Sequence, residues 1–249
     1  MNWLPDIGAS TLALLMLVAF VAGMSRGFSG FGGALIFVPL AGALAGPRLA
    51  PPLLLVIDCI FASFLIPSAW GLGDWRDIGL MLAGAVVGVP AGAAILARFA
   101  PIGLRWLIAA MASAMLALLL SGWRYRGRPH AAATVAVGTI SGLFSGIAQM
   151  GGSPVMSYWL SADVAHAKVR ANVILYFAVA SVLTLISYFW DGLMSIDIVK
   201  IALFAGPAYG VGTLAGSRMF RLASPAVFRG ASMIVIGTSV LLSLPIFSS

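Results

Sequence analysis

The sequence contains no glutamate, and charged residues of all kinds make up only 8% of its 249 residues. Soluble domains carry about 25% charged residues, so this composition excludes an ordinary soluble protein. Apolar residues account for 61% of the chain, which is typical of a protein whose solvent is lipid. The composition therefore predicts a polytopic membrane protein, with the lipid bilayer as its surroundings.

Cysteine and histidine are also scarce, with Cys59 as the single cysteine and only two histidines. One cysteine excludes an intramolecular disulfide and a cysteine zinc site. No two of His, Cys, Asp and Glu stand at ligand spacing on one apolar run, so the sequence predicts no metal site and no cofactor. The 14 Lys and Arg fall in short clusters between apolar runs, which the positive-inside rule explains without a nucleic-acid partner.

Long uncharged runs locate the membrane segments, since one crossing takes roughly 17 to 25 helical residues. Two runs, Ile7 to Gly46 (interrupted only by Arg26) and Pro129 to Ala162, would be roughly 50 to 60 Å long as straight helices. The hydrocarbon core is about 30 Å thick, so each must break or fold back. The predicted segments are 8–25, 30–46, 51–72, 77–97, 103–122, 131–148, 152–162, 171–190, 198–217 and 227–246.

Glycine is densest in the middle of both long runs, where a break is most easily accommodated. The glycines assigned to the two breaks are Gly27, Gly30, Gly32 and Gly33 in the first and Gly142, Gly146, Gly151 and Gly152 in the second. Glycines spaced by four elsewhere are predicted to permit close helix packing. These are Gly88, Gly92, Gly212 and Gly216.

The second half of the chain repeats the first. Phe28-Ser29-Gly30 recurs as Phe144-Ser145-Gly146, and further matches keep the same order. Five segments per half is an odd number, so the halves are predicted to cross the membrane in opposite senses, as inverted repeats. The predicted organisation is a first transmembrane repeat over 1–122, a basic cytoplasmic link over 123–130 and a second repeat over 131–249.

The basic residues support this topology. With the N-terminus outside, ten Lys and Arg fall in cytoplasmic loops and four outside, in agreement with the positive-inside rule. In an eight-span alternative each glycine-broken run crosses once. That alternative separates the basic residues of the link from Lys168 and Arg170 and is less favourable.

The two breaks are predicted to line one central cavity near the membrane centre, because non-helical backbone in hydrocarbon must be buried in protein or face a cavity. In the second break, Ser153 is a suitable N-cap and Pro154 suits the first helical position. A helix start directs free N–H groups and its positive dipole end towards an anion. The predicted substrate-binding residues are Arg26, Ser29, Gly32, Gly33, Ser145, Gln149, Gly151, Gly152 and Ser153.

Ionisable and polar side chains inside the segments are costly in lipid and are often functional. Asp58 is a candidate for proton coupling, because a fixed negative charge would oppose an anion; alternatively, its carboxyl is satisfied by a neighbouring helix. Arg26 either counters the substrate charge or extends to the cytoplasmic interface. Asn172 and Tyr176 either line the cavity or form hydrogen bonds between helices.

The glycine-rich stretch from Ser25 to Gly33, its counterpart from Ser141 to Ser153 and the duplicated hydrophobicity resemble the TauE/SafE family of sulfite exporters and related permeases. The resemblance covers nearly the whole chain. It implies a transporter of small anionic sulfur compounds, such as sulfite, sulfonates or sulfoacetate, in a bacterial cytoplasmic membrane. The second half departs from the first by inserting Ile147-Ala148-Gln149-Met150, which makes any site asymmetric.

Other functional classes fit parts of the sequence. Gly27-Phe28-Ser29-Gly30 matches the pattern around the serine of rhomboid intramembrane proteases, but such a serine needs a base within hydrogen-bond reach. His130 and His166 both fall in predicted cytoplasmic loops, so the sequence predicts no enzyme. A passive anion channel is the closest alternative to a transporter, and a membrane assembly or interaction protein is a less favoured one.

Overall fold

A computed structural model of the chain describes residues 7–29, 32–122, 130–160, 166–219 and 225–244. Within these ranges it contains helices and no strands, so the predicted all-α class is confirmed. The helices are α1 (Ala9–Ser29), α2 (Gly33–Ala45), α3 (Ala50–Ser63), α4 (Ile66–Ala69), α5 (Trp75–Arg98), α6 (Pro101–Ser121), α7 (Ala131–Ala148), α8 (Gly152–Trp159), α9 (His166–Trp190), α10 (Ile196–Met219) and α11 (Pro225–Ser243).

Six of the described helices are long and apolar enough to cross a membrane, namely α1, α5, α6, α7, α9 and α10. Large apolar side chains lie exposed on their surfaces, as shown by Val87, Ile186 and Leu203 on three different helices. Soluble monomers rarely expose large contiguous apolar patches, whereas lipid-facing helices do so over their whole length. The chain is a multi-pass membrane protein, as its composition predicts.

Two predicted segments differ from the helices that form. Segment 51–72 is divided into α3 and α4, because Pro67 has no N–H to donate to the Ser63 carbonyl and cannot continue α3. Within the described part of segment 152–162, α8 has eight residues and extends only about 12 Å. This length is too short to cross a hydrocarbon core of about 30 Å.

The described helices group into two compact units. The first contains α1, α2, most of α3, α6, α10 and α11; the second contains the end of α3 with α4, α5, α7, α8 and α9. Each unit draws helices from both halves of the sequence, because α10 packs on α1 and α5 packs on α7. The repeat boundaries at 122 and 131 remain a prediction about the order along the chain. Apart from His130, the predicted link lies outside the described residues.

In the first unit, α1 and α10 are held together through glycine. A β-carbon at Gly23 or Gly27 would overlap backbone carbonyls of α10, and one at Gly212 or Gly216 would overlap carbonyls of α1. The contacts advance in the same direction along both helices, so α1 and α10 run parallel. The absence of side chains brings the two backbones close together, as small residues do in membrane helices.

In the second unit, α5 and α7 pack in the same parallel arrangement. A β-carbon at the interface glycines of either helix would overlap backbone atoms of the other helix. The predicted packing role of Gly88, Gly92, Gly212 and Gly216 is therefore confirmed. The assignment of Gly27, Gly142 and Gly146 to the breaks is wrong, because α1 and α7 continue through them and their missing side chains make room for the neighbouring helix. The glycines at this interface are Gly84, Gly88 and Gly92 on α5 and Gly138, Gly142 and Gly146 on α7.

α9 also packs beside α5, and ion pairs join the two helices at both ends. Near their starts, the Lys168 ammonium lies 2.8 Å from an Asp74 carboxylate oxygen. Near their ends, the Arg98 guanidinium lies 3.8 Å from Asp191. α5 and α9 therefore run in the same direction, as α5 and α7 do.

Asp74 fixes the start of α5. Its Oδ1 accepts the N–H groups of Arg76 at 3.2 Å and Asp77 at 3.4 Å, which is N-cap geometry. Its own N–H donates to the Asn172 side-chain oxygen at 2.7 Å. The hydrogen bond from Lys168 holds the pKa of Asp74 below its ordinary value of 3.8, because it favours the ionised carboxylate.

We expect Asp74→Asn to lower the melting temperature at pH 7 by no more than about 4 °C, since asparagine keeps the cap but loses an exposed ion pair. Because the pKa of Asp74 is lower in the folded than in the unfolded protein, its ionised carboxylate stabilises the fold at pH values above the pKa of the unfolded protein. This stability is lost as the pH falls through the pKa of the folded protein. The difference between Asp74→Asn and wild type should therefore shrink as pH falls below about 4 and vanish only below the lowered pKa of Asp74 in the folded protein. Thermal unfolding in detergent measures it, and an equal difference at pH 3 and pH 7 would contradict the ion-pair assignment.

Candidate functional site

The second break begins where α7 ends at Ala148. Gln149 adopts left-handed backbone, with φ 58° and ψ 23°. Its N–H donates to the Ser145 carbonyl at 2.9 Å, and the Met150 N–H donates to the Phe144 carbonyl at 3.2 Å. These bonds satisfy carbonyls that the end of a helix leaves free. The residue that turns the chain is thus a glutamine, and none of the neighbouring glycines takes this conformation.

α8 folds back along α7 after this turn. The Ser141 hydroxyl donates to the Gly151 carbonyl at 2.9 Å, and the Thr134 and Tyr158 hydroxyls lie 2.8 Å apart. The contacts recede along α7 as they advance along α8, so the two helices are antiparallel. The prediction that the run Pro129 to Ala162 breaks or folds back is confirmed within the described residues 130–160.

Buried hydroxyl groups surround the start of α8. Tyr176 donates to the Ser141 hydroxyl at 3.1 Å, which in turn donates to Gly151. A β-carbon at Gly151 would overlap the Ser145 hydroxyl and the Ser141 carbonyl, although φ of −68° at Gly151 suits any residue. The glycine is therefore required by space and not by backbone conformation.

Ser145 and Ser153 supply two further hydroxyl groups at this helix start. Both residues are 4% exposed. The N-cap of α8 is Gly151, without a side-chain cap, so the prediction of Ser153 as N-cap is wrong. The helix begins at Gly152, two residues before the start that a Ser153 cap implies, so Ser153 and Pro154 lie inside its first turn.

Tyr188 is a member of this site that the sequence analysis missed. Its hydroxyl donates to the Gly146 carbonyl at 2.8 Å, and the Gln149 amide nitrogen donates to it at 3.3 Å. The side chain is fully buried. A tyrosine within the uncharged run Ala171 to Trp190 was the available signal, because a buried tyrosine hydroxyl usually has a polar partner.

The first break belongs to the other compact unit. Gly32 precedes α2 with φ of 97°, a conformation that favours glycine. A β-carbon at Gly33 would lie 2.9 Å from the Tyr209 hydroxyl and 3.2 Å from both the Ala22 carbonyl and Arg26 Cβ. Tyr209 is fully buried and was also missed. The side chain of Ser29 lies outside the described residues, whereas Arg26 is half-buried beside the start of α2.

The remaining candidates lie on α3 and α9. Asp58 is half-buried near the end of α3. Asn172 is buried and binds the Asp74 N–H near the start of α5, so it forms the interhelical hydrogen bond that was one of its two predicted roles. Tyr176 contacts the break itself through Ser141. No group of three or more His, Cys, Asp and Glu that could hold a metal occurs within the described ranges.

A family model for the sulfite exporter TauE/SafE matches residues 15–243. The chain belongs to the TauE/SafE family. Members of this family are transporters of sulfite and related anions and not enzymes. A comparison with curated proteins found no significant match, and neither did a comparison with solved structures. In this TauE/SafE protein, the second break therefore combines a helix start, buried hydroxyl groups and a left-handed glutamine within a transporter scaffold.

Proposed function

We propose that this protein transports small sulfur-containing anions, such as sulfite or a sulfonate, across a bacterial inner membrane. The anion binds at the second break, where the start of α8 offers backbone N–H groups. The Ser145 and Ser153 hydroxyls and the Gln149 amide are its side-chain donors. A role for Gly32, Gly33 and Arg26 of the first break in anion binding stays a prediction of the sequence repeat.

The observation that carries this proposal is the start of α8, beside which Ser145 and Ser153 lie buried at 4% exposure. An oxyanion supplies acceptors for hydroxyl groups and favourable charge for the positive end of the α8 dipole. The donors named above are all neutral, and binding by neutral donors also permits release, which a transporter needs.

Proton coupling through Asp58 is the second part of the proposal. An ionised carboxylate about 8 Å from a bound anion repels it by about 2 kcal/mol at an effective dielectric of 20. Protonation of Asp58 when the substrate is bound removes this repulsion. Anion occupancy and proton occupancy are then linked, as alternating access driven by a proton gradient requires.

We expect sulfite flux in proteoliposomes to respond to an imposed pH gradient in the wild type and to lose that response in Asp58→Asn. The neutral amide removes the titrating group while keeping its size. Asp197→Asn, which neutralises an aspartate outside the breaks on α10, is the control and should behave as the wild type. Identical pH dependence in Asp58→Asn and wild type would overturn the coupling, and downhill flux at channel rates would favour the passive channel.

A further inference from the structure

Gln149 is the one described residue other than glycine with positive φ. L-amino acids with a β-carbon rarely adopt this conformation, and glutamine is not among the residues enriched there. Glycine fills the left-handed position at the first break, where Gly32 has φ of 97°. Backbone held in a sparsely populated region is found most often at functional sites. The side chain of Gln149 is therefore the feature that needs an explanation.

The hydrogen bonds of Tyr188 determine how this side chain is oriented. The phenolic oxygen lies 2.8 Å from the Gly146 carbonyl and 3.4 Å from the Ser145 carbonyl. Carbonyl oxygens only accept hydrogen bonds, so the single hydroxyl hydrogen of Tyr188 must point towards them. The remaining neighbour, the Gln149 amide at 3.3 Å, must then act as the donor.

This arrangement commits one N–H of the Gln149 amide to Tyr188 and leaves its second N–H uncommitted. Gln149 is only half-buried, so part of the amide is not covered by protein. If the amide were rotated, its oxygen would face the Tyr188 oxygen without a hydrogen between them. The hydrogen bonds of the fully buried Tyr188 thus fix the orientation of the Gln149 amide, so that the break presents an N–H donor.

We propose that Tyr188 is a positioning residue that sets the selectivity of the second break through Gln149. It holds the amide so that a free N–H is available to an anion with acceptor oxygens. The inference rests on the proposed function, because it assigns the Gln149 donor to the same anion. It adds Tyr188, a residue that does not contact the substrate. It also specifies which feature of the substrate is recognised, namely an oxygen that accepts a hydrogen bond.

Sulfite binding to purified protein tests this proposal with a double-mutant cycle. Tyr188→Phe keeps the ring and removes the hydroxyl, and we expect it to weaken binding about tenfold, the loss of one hydrogen bond to a charged group. Gln149→Gly should weaken binding by at least as much and also raise the melting temperature, because glycine accepts the left-handed backbone without strain. The double variant should bind no more weakly than Gln149→Gly alone.

Tyr158→Phe is the matched control, since it removes another buried tyrosine hydroxyl of the same unit, one that pairs with Thr134. It should leave sulfite affinity within about twofold of the wild type. Gln149→Glu is a second variant, which tests the amide donor itself in a protein that keeps Tyr188. The ionised carboxylate of that variant cannot donate a hydrogen bond and should weaken binding about a hundredfold, through the lost donor and charge repulsion.

Two kinds of result overturn the proposal, and they are distinguishable. Additive losses in the double variant, or unchanged affinity in Tyr188→Phe with a lowered melting temperature, would leave Tyr188 as a structural residue only. Anion binding by the wild type would still stand in that case. Failure of the wild type to bind both sulfite and methanesulfonate would instead overturn the proposed function, and the role of Tyr188 with it.

Discussion

Gly151→Ala is expected to weaken sulfite binding by at least about 100-fold. The added β-carbon would overlap the Ser145 hydroxyl and the Ser141 carbonyl. Ser141 has no free space to withdraw into, because it lies fully buried between Tyr176 and Gly151. The start of α8 must therefore move away from α7, and a displacement of about 1 Å at a site that depends on aligned donors has effects of this size.

Gly79→Ala is the control for this variant. Gly79 lies in α5 of the same compact unit, and a β-carbon there would meet nothing within 4 Å. Alanine in a helix interior is favoured over glycine by roughly 0.5 to 1 kcal/mol, so Gly79→Ala should bind normally and be slightly more stable. Equilibrium binding by calorimetry, with size-exclusion profiles to confirm a folded protein, compares the two. Normal sulfite affinity in Gly151→Ala would show that the α8 start does not hold the anion.

Gly142→Leu is expected to destabilise the protein by about 3 kcal/mol or more, which corresponds to a fall in melting temperature of about 10 °C. A β-carbon at Gly142 would lie 2.9 Å from the Ala85 Cα and 3.1 Å from the Val89 nitrogen. These are backbone atoms of α5, which cannot rotate away as a side chain does. Leucine would therefore separate α5 from α7 and disrupt the packing of the second unit.

Gly79→Leu introduces the same side chain at an open position of α5 and serves as the matched control. It should change the melting temperature by no more than a few degrees, because surface substitutions are usually within about 0.5 kcal/mol of neutral. Thermal unfolding in detergent measures both variants. Equal melting temperatures for Gly142→Leu and Gly79→Leu would contradict the close α5 and α7 interface.

The existence of the two breaks was predictable because length alone requires it, whereas their chemistry was not. A run such as Pro129 to Ala162 cannot cross a bilayer as one helix. Glycine density suggested where it breaks, but Gly142 and Gly146 face α5 and leave α7 intact. Glycine permits both a helix break and close helix packing, and which of the two occurs depends on the neighbouring helix. The turn itself falls on Gln149, a residue with no intrinsic preference for left-handed backbone.

The sequence also did not predict which helices pack against each other. The repeat describes the order of segments along the chain, but α5 packs with α7 and α10 with α1, so each compact unit combines both halves. Tyr188 was missed for the same reason, because its relation to Gln149 depends on a contact 39 positions away. Tyr176 was identified from its place in the matching segment, and its hydrogen bond to Ser141 brings it to the break.

Counterflow of radiolabelled sulfite in proteoliposomes loaded with unlabelled sulfite tests most directly whether the second break is the anion site of a transporter. The measurement does not depend on the direction of transport or on proton coupling. Wild type and Gly79→Ala should accumulate label, methanesulfonate should compete, and Gly151→Ala should show no accumulation above empty liposomes. Absence of exchange by the wild type for sulfite and sulfonates, or undiminished exchange by Gly151→Ala, would contradict the assignment.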